Sequence, residues 1–318
     1  MLRVVFMGTP EFAVKALDGI AREHQVLGVY TQPDKPSGRG LGVTASAVKK
    51  RTLDLGLPVY QPEKLSLPGE FEKLAALKPD IIVVVAYGQI LKKNVLELPR
   101  LGCINIHSSL LPRWRGAAPI QWAILGGDPE SGVSTMRLVE KLDAGDVLMQ
   151  AQTPISDADT AGSLHDRLAV MGAELISKTL SALEKSTLKG QVQDESQVTY
   201  ASKLTKEMEF LDPALSAQDL DRRVRALNPW PGTSLFVKLG GETQRLRIKQ
   251  AKVRADITVE PGKISERAGM LLLGTKQGAL ELLKFQWDGK KEIDPMSFVN
   301  GLKGRGEKLP LTVVSPPA

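Results

Sequence analysis

The 318-residue chain has one cysteine, Cys103, and three histidines, His24, His107 and His165. A single thiol excludes an internal disulfide and any zinc site built on several cysteines. No metal is expected. The single thiol also points to reducing cytosol, so a cytoplasmic location is expected. No apolar run approaches the roughly 18 residues of a membrane span. The opening run is too short for a secretory signal before Gly8-Thr9-Pro10 ends it. No repeat of useful period is present. The P-loop spacing G-x-x-x-x-G-K-[ST] is absent, and the first strand-to-helix turn supplies only Gly8 of a G-x-G-x-x-G fingerprint. Glu11, at the start of the following helix, would repel a pyrophosphate.

What remains is ordinary soluble, globular composition: 42% hydrophobic and 25% charged residues. The length suggests two domains. The net charge of +6 leans towards the C-terminal part. That excess suits a polyanionic partner and equally suits an ordinary solvated surface.

Hydrophobic patterning predicts strands over residues 2–7, 26–30 and 80–86, with Val59 continuing the alternation. DIIVVVA, at 80–86, is the strongest of them, a continuous β-branched run of the kind buried on both faces in a parallel sheet. Thr9, Pro10 and Glu11 suit the N-cap, first position and first turn of a helix. Residues 32–42 form a long Pro- and Gly-rich connection carrying Lys35 and Arg39, with no apolar face to bury. Helices are predicted over 45–55, 120–125 and 160–183, and strands over 133–138 and 147–155. This alternation predicts an α/β domain with a mainly parallel sheet over residues 1–190. Residues 191–206, polar and carrying Lys203 and Lys206, read as a linker. Residues 207–318 form the second domain. After a helix over 216–227 it shows strands at 234–239, 245–253, 269–273 and 279–285, which suggests a small all-β barrel. The Pro-rich end, 314–318, reads as a loose tail.

The stretch 103–116, CINIHSSLLPRWRG, carries the chemistry. It starts as a buried strand and turns into an irregular polar loop. Asn105 and His107 are two apart, so a strand places them on one face, at the end where open α/β sheets bind ligands. A second loop containing Asp143 can bring a carboxylate to the imidazole. Amide, imidazole and carboxylate make a usable set of oxyanion donor, proton handler and orienter. A strand end with one satisfied core histidine is the bland alternative. His165 and Asp166 read as surface or packing residues. Arg113 and Arg115 flank Trp114 as an anion and stacking surface, or serve internal pairing.

The run NIHSSLLPRWRGAAPIQWAILGGD followed by LDAGDVL closely resembles the folate-dependent formyltransferases, whose active-site signature is Asn-x-His-x-Ser-x-Leu-Pro with a downstream Asp-x-Gly. The segments VVFMGTPEFAVKAL, TQPDKPSGRG and KLTKEM extend the resemblance over nearly the full length. The resemblance implies an N-terminal Rossmann-like, mainly parallel sheet and a smaller C-terminal OB-like barrel. It implies formyl transfer from 10-formyltetrahydrofolate to the α-amine of methionine on initiator tRNA. Asn105, His107 and Asp143 would then be catalytic. Ser109, Leu110, Leu111 and Pro112, with Val85, Ala86, Tyr87 and Gly88, would lie against the folate. Lys35, Arg39, Lys203 and Lys206 would contact the tRNA, and the protein would act as a monomer away from membranes. A nucleotide, sugar or ribonucleotide amine as acceptor, or a nonenzymatic nucleic-acid-binding protein, are the alternatives.

Overall fold

The computed structural model describes residues 1–37 and 42–317. The chain divides into two compact units. The first holds residues 1–119, 130–154 and 164–202, and the second the remainder, including everything from Lys203 onward.

In chain order the α/β part contains β1 (Arg3–Gly8), α1 (Val14–Glu23), β2 (Gln25–Tyr30), β3 (Lys35–Ser37), β4 (Gly42–Thr44) and α2 (Ala47–Asp54). Next come β5 (Val59–Tyr60), α3 (Glu70–Ala76), β6 (Ile81–Val85), α4 (Lys93–Leu96), β7 (Cys103–His107) and β8 (Arg115–Gly116). Then follow α5 (Pro119–Leu125), β9 (Glu130–Arg137), β10 (Val147–Pro154), α6 (Ala161–Glu184) and β11 (Tyr200–Ala201). Seven strands form one sheet in the order β10-β9-β7-β6-β1-β2-β5. The pairings from β7 through β5 are parallel, and β9 and β10 are antiparallel. Val4 to Met7 and Ile81 to Val83 are fully buried, as continuous apolar runs in a two-faced parallel sheet should be. From β1 the chain builds outward to β2 and β5, then returns to place β6 on the other side. The carboxyl ends of β1 and β6 therefore form a topological switch point, where such sheets open a ligand crevice.

Two local expectations are corrected. Thr9 does not cap a helix. A short 3₁₀ turn at Glu11–Ala13 precedes α1, and Thr9 Oγ1 instead donates to the Tyr87 carbonyl at 2.9 Å, spanning the ends of β1 and β6. The connection after β2 is not wholly irregular either: Lys35–Ser37 and Gly42–Thr44 pair as an antiparallel ladder. Arg39 lies outside the described residues.

The second unit contains α7 (Ala217–Ala226), whose Ser216 cap accepts from Asp219 N, and strands β12 (Thr233–Leu239), β13 (Glu242–Arg254) and β14 (Lys263–Arg267). It continues through β15 (Met270–Gly274), β16 (Ala279–Trp287), β17 (Glu292–Ile293), α8 (Pro295–Lys303) and β18 (Leu311–Val314). The order β13-β12-β18-β14-β15-β16 is closed by a β13–β16 pairing into a six-stranded antiparallel barrel, with β17 appended to β16. Leu235, Val237, Leu246, Ile248, Ile264, Leu271, Leu280 and Phe285 fill its interior. Phe298 of α8 meets Phe285 edge-on at 5.1 Å. Val314, read from sequence as part of a loose tail, pairs with Phe236. Arg245, Arg247 and Arg254 are each paired with acidic partners, so lysines supply much of the free positive charge of this unit.

Cys103 is buried among Val95, Leu96 and the β-sheet core, and burial pushes its thiol up to about 12. The folded protein should therefore resist a thiol-specific reagent at pH 8 and label fully once denatured. Rapid labelling of the native protein would show that β7 opens readily.

Candidate active site

The alternation of β7 puts Ile104 and Ile106 into the core and leaves Asn105 and His107 on the other face. His107 is nevertheless buried. Its Nε2 bonds the Trp114 carbonyl at 2.8 Å. A carbonyl only accepts, so Nε2 carries a proton and Nδ1 is the nitrogen free to gain or lose one. Nδ1 faces Asp143 Oδ2 at 3.8 Å, too long for a hydrogen bond and close enough for charge attraction. The same oxygen accepts the Gly116 N–H at 2.8 Å. Asp143 sits at φ +46°, a left-handed conformation that Asp tolerates better than most residues. The half-buried Asn105 side chain makes no internal hydrogen bond among the described residues, which leaves its amide for a ligand.

The other two histidines do different work. His24 Nδ1 accepts from Leu2 N, and burial holds its pKa below the usual value. His165 pairs with Asp166 and packs edge-on against Phe12 at 5.3 Å, a packing role as expected.

The 109–112 loop is held from below by Ser134, opposite His107 in β9. Ser134 Oγ donates to Ser109 O at 2.6 Å and accepts from Leu111 N at 3.1 Å, while Gln150 Nε2 donates to Leu111 O at 3.0 Å. Leu110 O accepts from Arg113 N, and Ser109 Oγ donates to Arg113 O. These backbone groups are therefore spent on the loop itself. What the loop offers a ligand is the half-buried side chains of Leu110 and Pro112. Ser109 and Leu111 are buried supports. After β6 the roles reverse. Val85 and Tyr87 turn into the core, whereas Ala86 and Gly88 are exposed with φ +48° and +87°. Neither Ala86 nor Gly88 makes a backbone hydrogen bond among the described residues, so this edge presents free backbone groups.

Sequence reasoning missed the support for the Asp143 loop. Arg115 is fully buried, an internal residue rather than an anion surface. It donates from Nε and Nη2 to Gln193 Oε1, and from Nη2 to Glu195 at 2.9 Å. Thr199 binds the backbone of Trp114 and Arg115, and β11 pairs with β8. The stretch read as a linker from residue 191 is thus bonded into the site as far as Ala201. The bonds come from buried Gln193, from half-buried Thr199 and from Glu195, while Asp194 to Gln197 are exposed. Arg113 does lie over the Trp114 ring, at 4.5 Å, and is exposed. Lys35 is exposed on β3, and Lys203 and Lys206 are exposed in the second unit. No metal-binding cluster of His, Cys, Asp or Glu stands among the described residues. No helix among them is long and apolar enough to cross a membrane.

Comparison with known proteins identifies the family. The formyl transferase family matches residues 2–180, and the formyl transferase C-terminal domain matches residues 203–303. A methionyl-tRNA formyltransferase of Methylococcus capsulatus is 48% identical, over 97% of this chain and 99% of that protein. The Bacillus subtilis protein of that name is 42% identical over 95% of both. Among solved structures, an N-formyltransferase from Helicobacter canadensis, in complex with folinic acid and dTDP-3-aminofucose, superposes with a TM-score of 0.65. It is 17% identical and covers 89% of this chain and 99% of its own. HypX from Aquifex aeolicus, in complex with tetrahydrofolic acid, gives 0.60 at 19% identity over 99% of this chain, which spans 51% of that protein. At such identities the likeness is one of fold. The two family matches cover both units, and on them and the relatives above 40% identity the chain belongs to the formyl transferase family.

Proposed function

We propose that the protein transfers the formyl group of 10-formyltetrahydrofolate to the α-amine of methionyl initiator tRNA. The observation that carries the chemistry is the convergence of Asn105, His107 and Asp143 at the carboxyl end of β7. The acceptor is supported by relatives of that name that match nearly end to end.

The residues suit the reaction in order. The amine attacks the formyl carbon, and negative charge develops on the formyl oxygen while the nitrogen becomes cationic. The Asn105 amide donates to that oxygen. The attacking nitrogen must shed a proton before the folate nitrogen departs. Asp143 accepts it, directly or through a water, with Nδ1 of His107 alongside to share it. The proton then passes to the departing folate nitrogen, which takes back the electron pair of the broken C–N bond. No covalent enzyme intermediate is required. A model α-amine titrates at about 8, so a useful fraction is already neutral at pH 7. Positioning and charge stabilisation therefore carry most of the catalysis. The folate lies against Leu110 and Pro112 and the edge at Ala86 and Gly88, with Ser109, Leu111, Val85 and Tyr87 supporting from the core. Residues 207–318 are the tRNA-binding domain, joined by Lys203 and Lys206 and by Lys35 and Arg39.

Two tests follow. Asn105→Ala, His107→Ala and Asp143→Ala should each lower turnover by about two orders of magnitude with circular dichroism unchanged. Assays offering methionyl-tRNA, a nucleotide-linked amino sugar and a ribonucleotide amine should show formylation of the tRNA alone; preference for another amine refutes the acceptor. Separately, tRNA affinity should fall steeply as salt rises, because phosphate contacts release counterions. Arg39→Ala should slow turnover on tRNA while folate affinity holds, and Arg39→Lys should recover only part of it, keeping the charge without the planar fork. Wild-type behaviour of Arg39→Ala would remove that residue from the tRNA contact.

A further inference from the structure

Val192 and Gln193 are neighbours with inverted burial. Val192 is 79% exposed and Gln193 only 7% exposed. Ordinary burial preference would reverse them. Gln193 is therefore inside for its hydrogen bonds, and all four are made. Its Nε2 donates to Asp143 O at 2.8 Å and to Gly145 O at 2.7 Å. Its Oε1 accepts from Arg115 Nε at 3.1 Å and Nη2 at 2.9 Å. The orientation of the amide is forced from both sides, because a guanidinium only donates and carbonyls only accept.

The bonds close a ring. Asp143 receives the Gly116 N–H on its carboxylate and the Gln193 N–H on its carbonyl, and Gln193 is held by Arg115, the residue next to Gly116. Both ends of Asp143 are thereby referred to one short segment. That segment also includes Trp114, whose carbonyl orients His107. The left-handed conformation of Asp143 would relax if its carbonyl were released.

We propose that Gln193 is a positioning residue for formyl transfer: by holding the backbone of the Asp143–Gly145 turn, it keeps the Asp143 carboxylate beside Nδ1 of His107. The assignment rests on the catalytic reading above. Gln193 itself touches no reacting atom. Neither packing alone nor charge alone explains it. A Leu or Met would fill the volume. A Glu would pair better with Arg115 but would set a second oxygen against the carbonyls of Asp143 and Gly145.

The test uses the full-length protein with Gln193→Ala and Gln193→Glu. Gln193→Glu keeps a partner for Arg115, so it preserves the fold if Gln193→Ala does not. The proposal expects kcat to fall roughly ten- to a hundredfold, the scale of a small misplacement of reacting groups, with KM for both substrates within about threefold. It also expects the imidazole nitrogen signals of His107 to move in ¹H–¹⁵N spectra while those of His24 and His165 stay; His107→Ala identifies the His107 pair. Wild-type kcat, a rise in KM at unchanged kcat, unmoved His107 signals, or failure of both variants to fold would each overturn it. A wild-type protein without formyl transfer would refute the proposed function instead, and the His107 signals would still decide this assignment.

Discussion

The Trp114 carbonyl can only accept a hydrogen bond, and the site is built around that restriction. It fixes a proton on Nε2 of His107 and leaves Nδ1 for exchange, facing Asp143. The carbonyl must point inward, and Trp114 adopts φ +63° to aim it. Thr199 holds both sides of that peptide, through its hydroxyl to Trp114 N and its carbonyl to Arg115 N. Two residues on, Gly116 runs so close to β11 that a Cβ would lie 2.6 Å from the Ala201 carbonyl, at φ +120°. Only glycine fits there, and it is this residue whose N–H holds Asp143. One segment thus sets the tautomer of the imidazole and the station of the carboxylate.

Such an arrangement costs energy. Trp114, Asp143 and Ala86 all hold left-handed conformations, each costing about 1–3 kcal/mol in non-glycine residues. Arg115 is a fully buried guanidinium whose Nη1 has no partner among the described residues, so its desolvation is only partly offset by Gln193 and Glu195. The offset comes from the sheet beneath. β1, β6 and β7 are buried runs in parallel register; Ala86 follows β6 directly, while Trp114 and Asp143 lie in the loops that follow β7 and β9 and are held there by the bonds described above. An unstrained loop in this place would have more conformations and a less defined distance between Nδ1 and Oδ2.

How legible the molecule is in its sequence follows from where each signal resides. DIIVVVA reads as a strand because burial on both faces demands an unbroken apolar run. Asn105 and His107 read as a pair because a strand has period two. Asp143 is legible only through the motif around it, since 36 residues separate it from His107 and no local period links them. Gln193 and Thr199 leave no trace of their role. They act by bonding backbone groups of Trp114, Arg115, Asp143 and Gly145 from a distant segment, and a polar residue bonded inside looks the same in sequence as one in water. The same limit hides β14, where KISER has one apolar residue, and β18, which follows a proline. It also affects the charge reading: net charge counts Arg245, Arg247 and Arg254, whose guanidiniums are already paired.

The ends of β7 and β6 present unlike surfaces. On the β7 side the loop spends its carbonyls and the Leu111 N–H on Ser134, Gln150 and Arg113, so it is stiff and shows a ligand mainly carbon, from Leu110 and Pro112. On the β6 side Ala86 and Gly88 turn left-handed and make no backbone hydrogen bond among the described residues. A flat heterocycle with an amide-like edge would have its face against the first surface and its edge against the second. Thr9 joins the ends of β1 and β6 by bonding Tyr87 O, so the polar surface is anchored one residue from each group it offers. A ligand bound this way would be fixed in orientation by backbone geometry, and side-chain identity at Ala86 would matter less than its left-handed conformation. On the proposed reading the tasks would be separate: backbone at the switch point for recognising one substrate, side chains at the end of β7 for moving a proton.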